Sequence, residues 1–202
     1  MFSAEQKNSS IESSDADLEI VVRLQSGDDR AFDELMDRYK RPVVNFVYRM
    51  LNDAGDADDV AQEVFVRVYR SIKRFRADGR YRFSTWLFQI ARNQAIDVLR
   101  KRKRRPLEMR AFHEEDGDEP VSPGRSADRE AHVKEVGEAV ARAVSVLPEK
   151  QKTVLILSEY HDHSHAEIAS IMECSVKSVE SRLARAREAL RRRLAYLEPS
   201  SE

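Results

Sequence analysis

The chain has 202 residues, 35 Lys and Arg against 36 Asp and Glu, a net charge of -1 and a single cysteine, Cys174. That length suits two small domains with modest cores. One thiol excludes an internal disulfide and fits a reducing compartment, while no apolar run approaches the ~20 residues of a membrane span and the polar N-terminus does not resemble a signal peptide. A soluble, cytoplasmic protein without membrane insertion is expected, and its neutral total conceals strong local fields: Arg100 to Arg105 are six consecutive basic residues, and Glu114 to Glu119 hold five acids in six positions.

Residues 1 to 17 are rich in Ser, Glu, Asp and Asn and read as a disordered tail, because they carry too little apolar surface to offset ordering. Helical spacing starts near Leu18, with Ile20, Val21 and Leu24 on one side and Gly27 as the stop. A second helix holds Phe32, Leu35, Met36 and Tyr39, and Pro42 opens or kinks a third carrying Val43, Val44, Phe46, Val47, Met50 and Leu51 up to a break at Asn52 to Gly55. Asp56 or Asp58 is positioned to cap the next helix, whose apolar stripe is Val60, Ala61, Val64, Phe65, Val68 and Ile72. Phe75 to Phe83 reads as a basic, aromatic loop centred on Asp78-Gly79. Ser84 or Thr85 then caps a long helix through Arg105 with Leu87, Ile90, Ala91, Val98 and Leu99 inward, ended by Pro106.

Residues 106 to 127 contain Gly117, Pro120, Pro123 and Gly124 among charges and read as an extended linker. A second domain, 128 to 198, begins with a helix bearing Val133, Val136, Val140, Ala143 and Val144, stopped near Leu147-Pro148, and continues with one bearing Val154, Leu155 and Leu157. No strand-period segment of useful length occurs, so the fold class is all-α: two small helical domains joined by a flexible linker.

Residues 164 to 193 have the layout of a helix-turn-helix DNA reader: a short helix burying Ile168, Ala169 and Met172, a turn, and a longer Arg-laced helix burying Val176, Val179 and Leu183. Packing leaves Lys177, Ser178, Glu180, Ser181, Arg182 and Arg185 free, with Arg187 and Arg191 to Arg193 extending the positive strip, as candidates for base edges and phosphates. The bland reading is a two-helix hairpin with a solvated basic face.

Three ordered stretches, Asp56-Ala-Asp-Asp-Val-Ala-Gln-Glu-Val-Phe-Val-Arg-Val-Tyr, Phe83-Ser-Thr-Trp-Leu-Phe-Gln-Ile-Ala-Arg-Asn and Leu147-Pro-Glu-Lys-Gln, resemble the group IV, extracytoplasmic-function sigma factors of the sigma-70 family over residues 18 to 195. The resemblance implies that 18 to 105 is the sigma region 2 bundle, which binds core RNA polymerase and the -10 element, and 128 to 198 is region 4, which binds the -35 element. It implies as partners the β′ clamp helices and β flap of core polymerase, duplex and single-stranded promoter DNA, and an anti-sigma factor holding the domains closed. Asp58, Asp59, Gln62, Glu63 and Arg67 match the clamp-docking helix, although acids at a helix start also complement its dipole. Phe75 and Asn93 match positions lining a pocket for a flipped base, with Arg80, Tyr81, Arg82 and Gln89 nearby. Stacking at ~1 to 3 kcal/mol per base offsets unstacking, and Asn offers a donor and an acceptor to a base edge.

The loop is about two residues longer than in many relatives, which affects the placement of Tyr81 and Arg82. Trp86 reads as core beside Leu87, with a wedge at the duplex fork as the other reading. Arg100, Lys101, Arg102 and Lys103, with the two arginines after them, are placed along the phosphate backbone. Glu173 stands where relatives often carry Gly; on a left-handed backbone it bears a strain of ~1 kcal/mol. Glu180 stands where a basic residue is common and can accept from a cytosine amino group.

Other chemistries find less support. His161, His163, His165 and Glu159 alternate as metal ligands on a strand do, but lie between helices and read as a polar connector whose histidines titrate near neutral pH. Cys174 reads as a small buried turn residue rather than a redox switch. No Gly-rich phosphate loop, nucleophile motif or acid-base constellation is present, so no enzyme, metal or cofactor is expected. The rival function is an autonomous helix-turn-helix repressor or activator, which requires a dimer interface and a palindromic site rather than polymerase. The linker acids Glu114, Glu115, Asp116, Asp118 and Glu119 read either as a nucleic-acid mimic near the template channel or as a solvated spacer.

Overall fold

The computed structural model describes residues 16–76, 82–104 and 127–195, without the side chains of 127–134. The tail before residue 16, the tip of the basic loop with Arg80 and Tyr81, and the linker with its acidic run lie outside the described residues. The described residues form eight helices, a short 3-10 turn and no strand.

Residues 16–25 form α1, with Ile20, Val21 and Leu24 buried. It begins within the stretch assigned to a tail: Asp17 is 3% exposed, pairs with Arg38 and accepts from the Tyr39 hydroxyl. Gly27 (φ +101°) makes the left-handed turn that follows α1.

One helix, α2 (Arg30–Leu51), replaces the two expected around Pro42. An internal proline leaves the carbonyl four residues back without its helical donor and costs ~3 kcal/mol. The buried stripe Ala31, Leu35, Tyr39, Val43, Phe46, Val47 and Met50 stays in phase through that point, and its packing outweighs the lost bond. α2 stops at Asn52 in the left-handed region (φ 54°), whose N–H reaches the Tyr48 carbonyl at 2.7 Å.

The cap of α3 (Ala54–Ser71) is Asp53, which accepts from the Asp56 N–H at 2.9 Å, so neither Asp56 nor Asp58 caps it and Gly55 lies within the helix. Asn52, rather than the glycine, takes the left-handed stop, and this moves the boundary upstream. A 3-10 turn, Ile72–Arg74, buries Ile72 and leads to Phe75. The long helix α4 runs Phe83–Arg104. Ser84 and Thr85 fall inside its first turn rather than at the cap, and Trp86 N–H bonds the Arg82 carbonyl at 3.3 Å.

In the second half, α5 (Ala127–Ser145), α6 (Glu149–Tyr160), α7 (His165–Ile171) and α8 (Val176–Leu194) follow in order. Ser164 and Glu167 form a reciprocal capping box on α7, and Ser175 caps α8 through the Ser178 N–H. Ile168, Ala169, Met172, Val179 and Leu183 are buried as the spacing predicts, but Val176 is 41% exposed. It occupies the first turn, before α8 reaches the core, and the third core position is taken by Ala186 instead.

The two halves are not independent beads. α4 packs on α7, and α2 packs on α5 and α6, so Val144, Val154 and Ile168 join the same buried cluster as Phe46, Met50 and Leu87. Phe88 of α4 is the hinge of this joint, 4.9 Å from both His161 and His163, and Phe46 lies 5.9 Å from His161. Arg49 lies over the Tyr160 ring at 3.7 Å, and the buried Lys152 donates to the Met50 carbonyl at 3.4 Å.

Candidate nucleic-acid interface

The apolar stripe of α3 fixes which of its side chains remain outside. Val60, Val64, Phe65 and Val68 turn inward, which sets Asp58, Asp59, Gln62, Glu63 and Arg67 on the exposed side. Asp58, Asp59, Gln62 and Glu63 make no side-chain bond among the described residues, which leaves their polar groups to solvent or a partner.

Beside this row lies a groove of ≈640 Å³ that the sequence reading missed, lined by Phe32, Met36, Gln62, Phe65, Val66, Tyr69 and Arg70. Val66 and Tyr69 are 40% and 47% exposed, Phe32 packs edge-on to Tyr69 at 5.1 Å, and the Tyr69 hydroxyl donates to Asp29 at 3.0 Å. Tyr69 also titrates above the usual tyrosine range because of that bond. Two large apolar residues off the α3 stripe were the available signal.

A second recess, of ≈440 Å³, opens where the 3-10 turn meets α4, lined by Arg74, Phe75, Arg76, Thr85, Trp86, Gln89 and, from α7, Ser170. Its wall is an aromatic cluster: Phe75 lies 5.1 Å from Trp86 and 6.0 Å from Phe83, and Trp86 lies 5.9 Å from Phe83. Phe75 is 7% exposed, so it backs the recess while the half-buried Trp86 lines it. Gln25 secures the turn from below, donating to the Ile72 and Phe75 carbonyls at 2.7 Å each.

Asn93, expected in the same pocket as Phe75, lies one helical turn beyond Gln89 in an adjoining recess of ≈380 Å³ lined by Arg67, Ile90, Arg92, Asn93, Ile96, Asp97 and Arg100. Asn93 accepts from Arg92 at 3.1 Å, and the Arg92 Nε is buried without a partner among the described residues. Successive turns of α4 therefore offer an aromatic recess and then a guanidinium-rich one.

The basic end of α4 is not uniform. Lys101, Lys103 and Arg104 are exposed, and Arg100 makes only a loose 3.7 Å contact with Asp97. Arg102 instead bonds Asp53 at 2.9 Å, Asp56 at 3.0 Å and the Leu51 carbonyl at 3.1 Å. It clasps the end of α4 to the α2–α3 corner, so its guanidinium is engaged within the chain, unlike those of its exposed basic neighbours.

On α8, Lys177, Glu180, Ser181, Arg185 and Arg187 are exposed, while Ser178 and Arg182 are half-buried. Arg182 reaches the Cys174 sulfur at 3.3 Å, and Arg187 bonds Glu159 at 2.6 Å. Cys174 is partly buried in the turn. Glu173 does lie in the left-handed region, at φ 51°.

The three histidines do not converge. His165 sits 3.8 Å from Glu180, Glu159 pairs with Arg187, and among the described residues no three His, Cys, Asp or Glu side chains are placed to share a metal. His161 and His163 are not a solvated connector either: both enter the joint against Phe88, and their Nε2 atoms are buried without partners among the described residues. Burial holds the His161 imidazole down to about 4, with the nearby His163 and Arg49 adding to the effect, and burial also lowers His163.

Known proteins share this arrangement. Residues 35–105 match the model of Sigma-70 region 2, and residues 137–190 match that of Sigma-70, region 4. The chain is 38% identical over 185 residues to the RNA polymerase sigma-H factor of Pseudomonas aeruginosa, covering 90% of this chain and 95% of that one. It is 36% identical over 178 residues to the ECF RNA polymerase sigma-E factor of Escherichia coli K12, covering 85% and 90%. Its fold is similar to that of CnrH, solved in complex with the cytosolic domain of CnrY, with a TM-score of 0.68 and 26% identity over 91% of this chain and 99% of that one. The chain belongs to the extracytoplasmic-function sigma factors of the sigma-70 family. It is a promoter-directing transcription initiation factor that works with RNA polymerase. Among the described residues no helix is long and apolar enough to cross a membrane.

Proposed function

We propose that the two halves divide the work of initiation without covalent catalysis: residues 18–105 grip core polymerase and hold melted -10 DNA, and residues 128–198 anchor to the -35 duplex. The aromatic recess at the start of α4 carries this reading, since Phe75, Trp86, Arg74, Arg76 and Gln89 combine a stacking wall, cations and an amide in one place. Stacking there is worth ~1 to 3 kcal/mol per base, enough to offset the few kcal/mol of unstacking. Asn93, with Arg67, Arg92 and Arg100 around it, receives the neighbouring base or phosphate.

The exposed side of α3, Asp58, Asp59, Gln62, Glu63 and Arg67, meets the clamp helices of the β′ subunit, with the Phe32, Val66 and Tyr69 groove as the apolar part of that contact. Lys177, Ser178, Glu180, Ser181, Arg182 and Arg185 face the -35 major groove, and Arg187 reaches its phosphates once released from Glu159. An anti-sigma factor holds the chain inactive in the cytoplasm, and the β flap supports the second half.

Runoff transcription on a genomic promoter library, with core polymerase alone and with the chain added, tests this. Promoter-specific transcripts are expected only with both present; tight binding of a palindrome without polymerase would instead establish the autonomous repressor. Asn93→Ala is expected to impair opening of linear duplex more than binding of -35 duplex. Equal losses would remove Asn93 from the site.

A further inference from the structure

Arg92 and Asn93 are neighbours on α4, and both line the recess of ≈380 Å³ with Arg67, Asp97 and Arg100. Asn93 is exposed and Arg92 half-buried, so the arginine stem is held by packing while its head reaches the recess. The Arg92 Nε is shut off from solvent without a partner among the described residues, and its Nη1 donates to the Asn93 Oδ1 at 3.1 Å.

That one bond decides which end of the asparagine a ligand meets. A guanidinium has N–H groups and no acceptor, so the atom of Asn93 that faces it must be the oxygen. The amide nitrogen is thereby turned to the other side of the group. An asparagine left to itself presents either end, because its planar head is two-fold in shape and a half-turn exchanges oxygen for nitrogen. Here the neighbour makes the choice.

What the recess offers is then one-sided. The Asn93 NH2 donates, Arg67 has no side-chain partner among the described residues, and Asp97, the carboxylate in the lining, lies against Arg100 at 3.7 Å. Donors set side by side call for acceptors set side by side. Cytosine carries such a pair at N3 and O2, and guanine carries one at O6 and N7. Adenine and thymine alternate donor and acceptor along each edge, so one donor of the recess would meet another donor.

We propose that Arg92 is a positioning residue for Asn93, and that the pair makes this recess select a captured base with two adjacent acceptors, cytosine or guanine, over adenine and thymine. The proposal rests on the reading of the recess as a site for a base of the melted -10 strand. Arg92 holds the oxygen of Asn93 and so keeps its donors towards the base. Without that bond the amide is free to turn, and its oxygen can then accept from the adenine amine as readily as its nitrogen donates to cytosine.

The test uses holoenzyme reconstituted from core polymerase and the full chain. It is offered a pool of pre-melted promoter templates with the -10 strand randomised, and the bound fraction is sequenced. The native chain is expected to enrich cytosine or guanine over adenine and thymine by about tenfold at one position. In Arg92→Leu that position should fall close to parity while preferences elsewhere in the strand stay as they were. Leucine is a good helix former and covers the same stem, so helicity and -35 duplex binding are retained. Arg92→Lys, which keeps a cationic donor for the oxygen, is expected to restore the preference.

Asn93→Ala locates the position that the recess reads and separates the two ideas. If it flattens no position, the recess is not the base site and both readings fall. If it flattens one that Arg92→Leu leaves intact, the recess reading stands and the positioning role of Arg92 is overturned. Uniform weakening on all templates by Arg92→Leu, with the base preference unchanged, would assign Arg92 to a phosphate and overturn it equally. A native preference for adenine or thymine at that position, or a lysine variant as indifferent as the leucine one, also overturns the proposal.

Discussion

Lys101 and Arg102 are adjacent, both basic and both in the same helix, yet they face different things. Arg102 bridges Asp53, Asp56 and the Leu51 carbonyl, whereas Lys101 is exposed. Arg102→Ala removes the guanidinium that ties two carboxylates and a carbonyl together at a half-exposed corner and should cost about 1 to 2 kcal/mol in urea unfolding, with little change in the salt dependence of DNA binding. Lys101→Ala should do the reverse, leaving stability alone and lowering the salt slope by about one counterion.

His161 has the opposite character from a surface histidine. Burial, with His163 and Arg49 close by, holds the imidazole neutral in the folded chain, down to about 4, against an unfolded value near 6.5. Between those values the unfolded state binds more protons than the folded one, so stability rises with pH through this window. The stabilisation is whole above pH 6.5 and is lost progressively towards pH 4, by on the order of 3 kcal/mol from this residue. His163 is shifted the same way and steepens the loss. Urea midpoints measured from pH 7 to pH 5 should fall, and His161→Phe, which has an aromatic neighbour on either side in Phe46 and Phe88, should flatten the curve. A midpoint that rises on acidification would contradict the buried, neutral assignment.

At the scale of elements, α3 serves two masters. Its inner stripe holds the bundle together, and its outer row carries charges that nothing within the described residues uses. Reversing Asp59→Arg should therefore leave helicity by circular dichroism unchanged and weaken core polymerase binding by about tenfold or more. Val66→Ala should leave the bundle equally intact and weaken the same complex, because its exposed side chain lines the groove beside that row. Capping shows how local chemistry sets α7: Ser164 and Glu167 satisfy its first turn reciprocally. Ser164→Ala should cost about 1 kcal/mol, read as a shift in thermal midpoint.

For the molecule as a whole, the joint between the halves makes folding cooperative. Phe88 is 3% exposed and touches both interdomain histidines as well as Phe46. Its truncation to Ala should cost about 3 to 5 kcal/mol. Calorimetry should show one unfolding transition for the native chain and two for Phe88→Ala, since a bundle and a helix-turn-helix unit each retain their own cores when the shared surface is lost.

What was legible in the sequence was local and periodic. The 3.6-residue spacing marked α1, α3, α6 and the helix-turn-helix, and it placed Val60, Val64, Ile168 and Leu183 inside because each sits on a face its own neighbours define. The row Asp58, Asp59, Gln62, Glu63 and Arg67 was named by the resemblance, and the stripe opposite it accounts for its exposure. Pro42 misled because a proline's local cost is visible in sequence and the buried stripe that overrides it is a tertiary quantity. Arg102 was one basic residue among six until a corner formed 46 residues away. The histidines looked solvated because their polar flanks are local and Phe46 and Phe88 are not. Composition and period alone thus determined an all-helical chain with an amphipathic acid-to-basic helix and a helix-turn-helix layout, since those depend on neighbours within a turn or two, whereas the polymerase reading of that helix came from the resemblance of its motif. Only the tertiary structure decided that the two halves share one core and that Glu167 and Glu173 meet Arg82 and Gln89, because contacts between residues 84 or 85 positions apart are set by packing of whole faces.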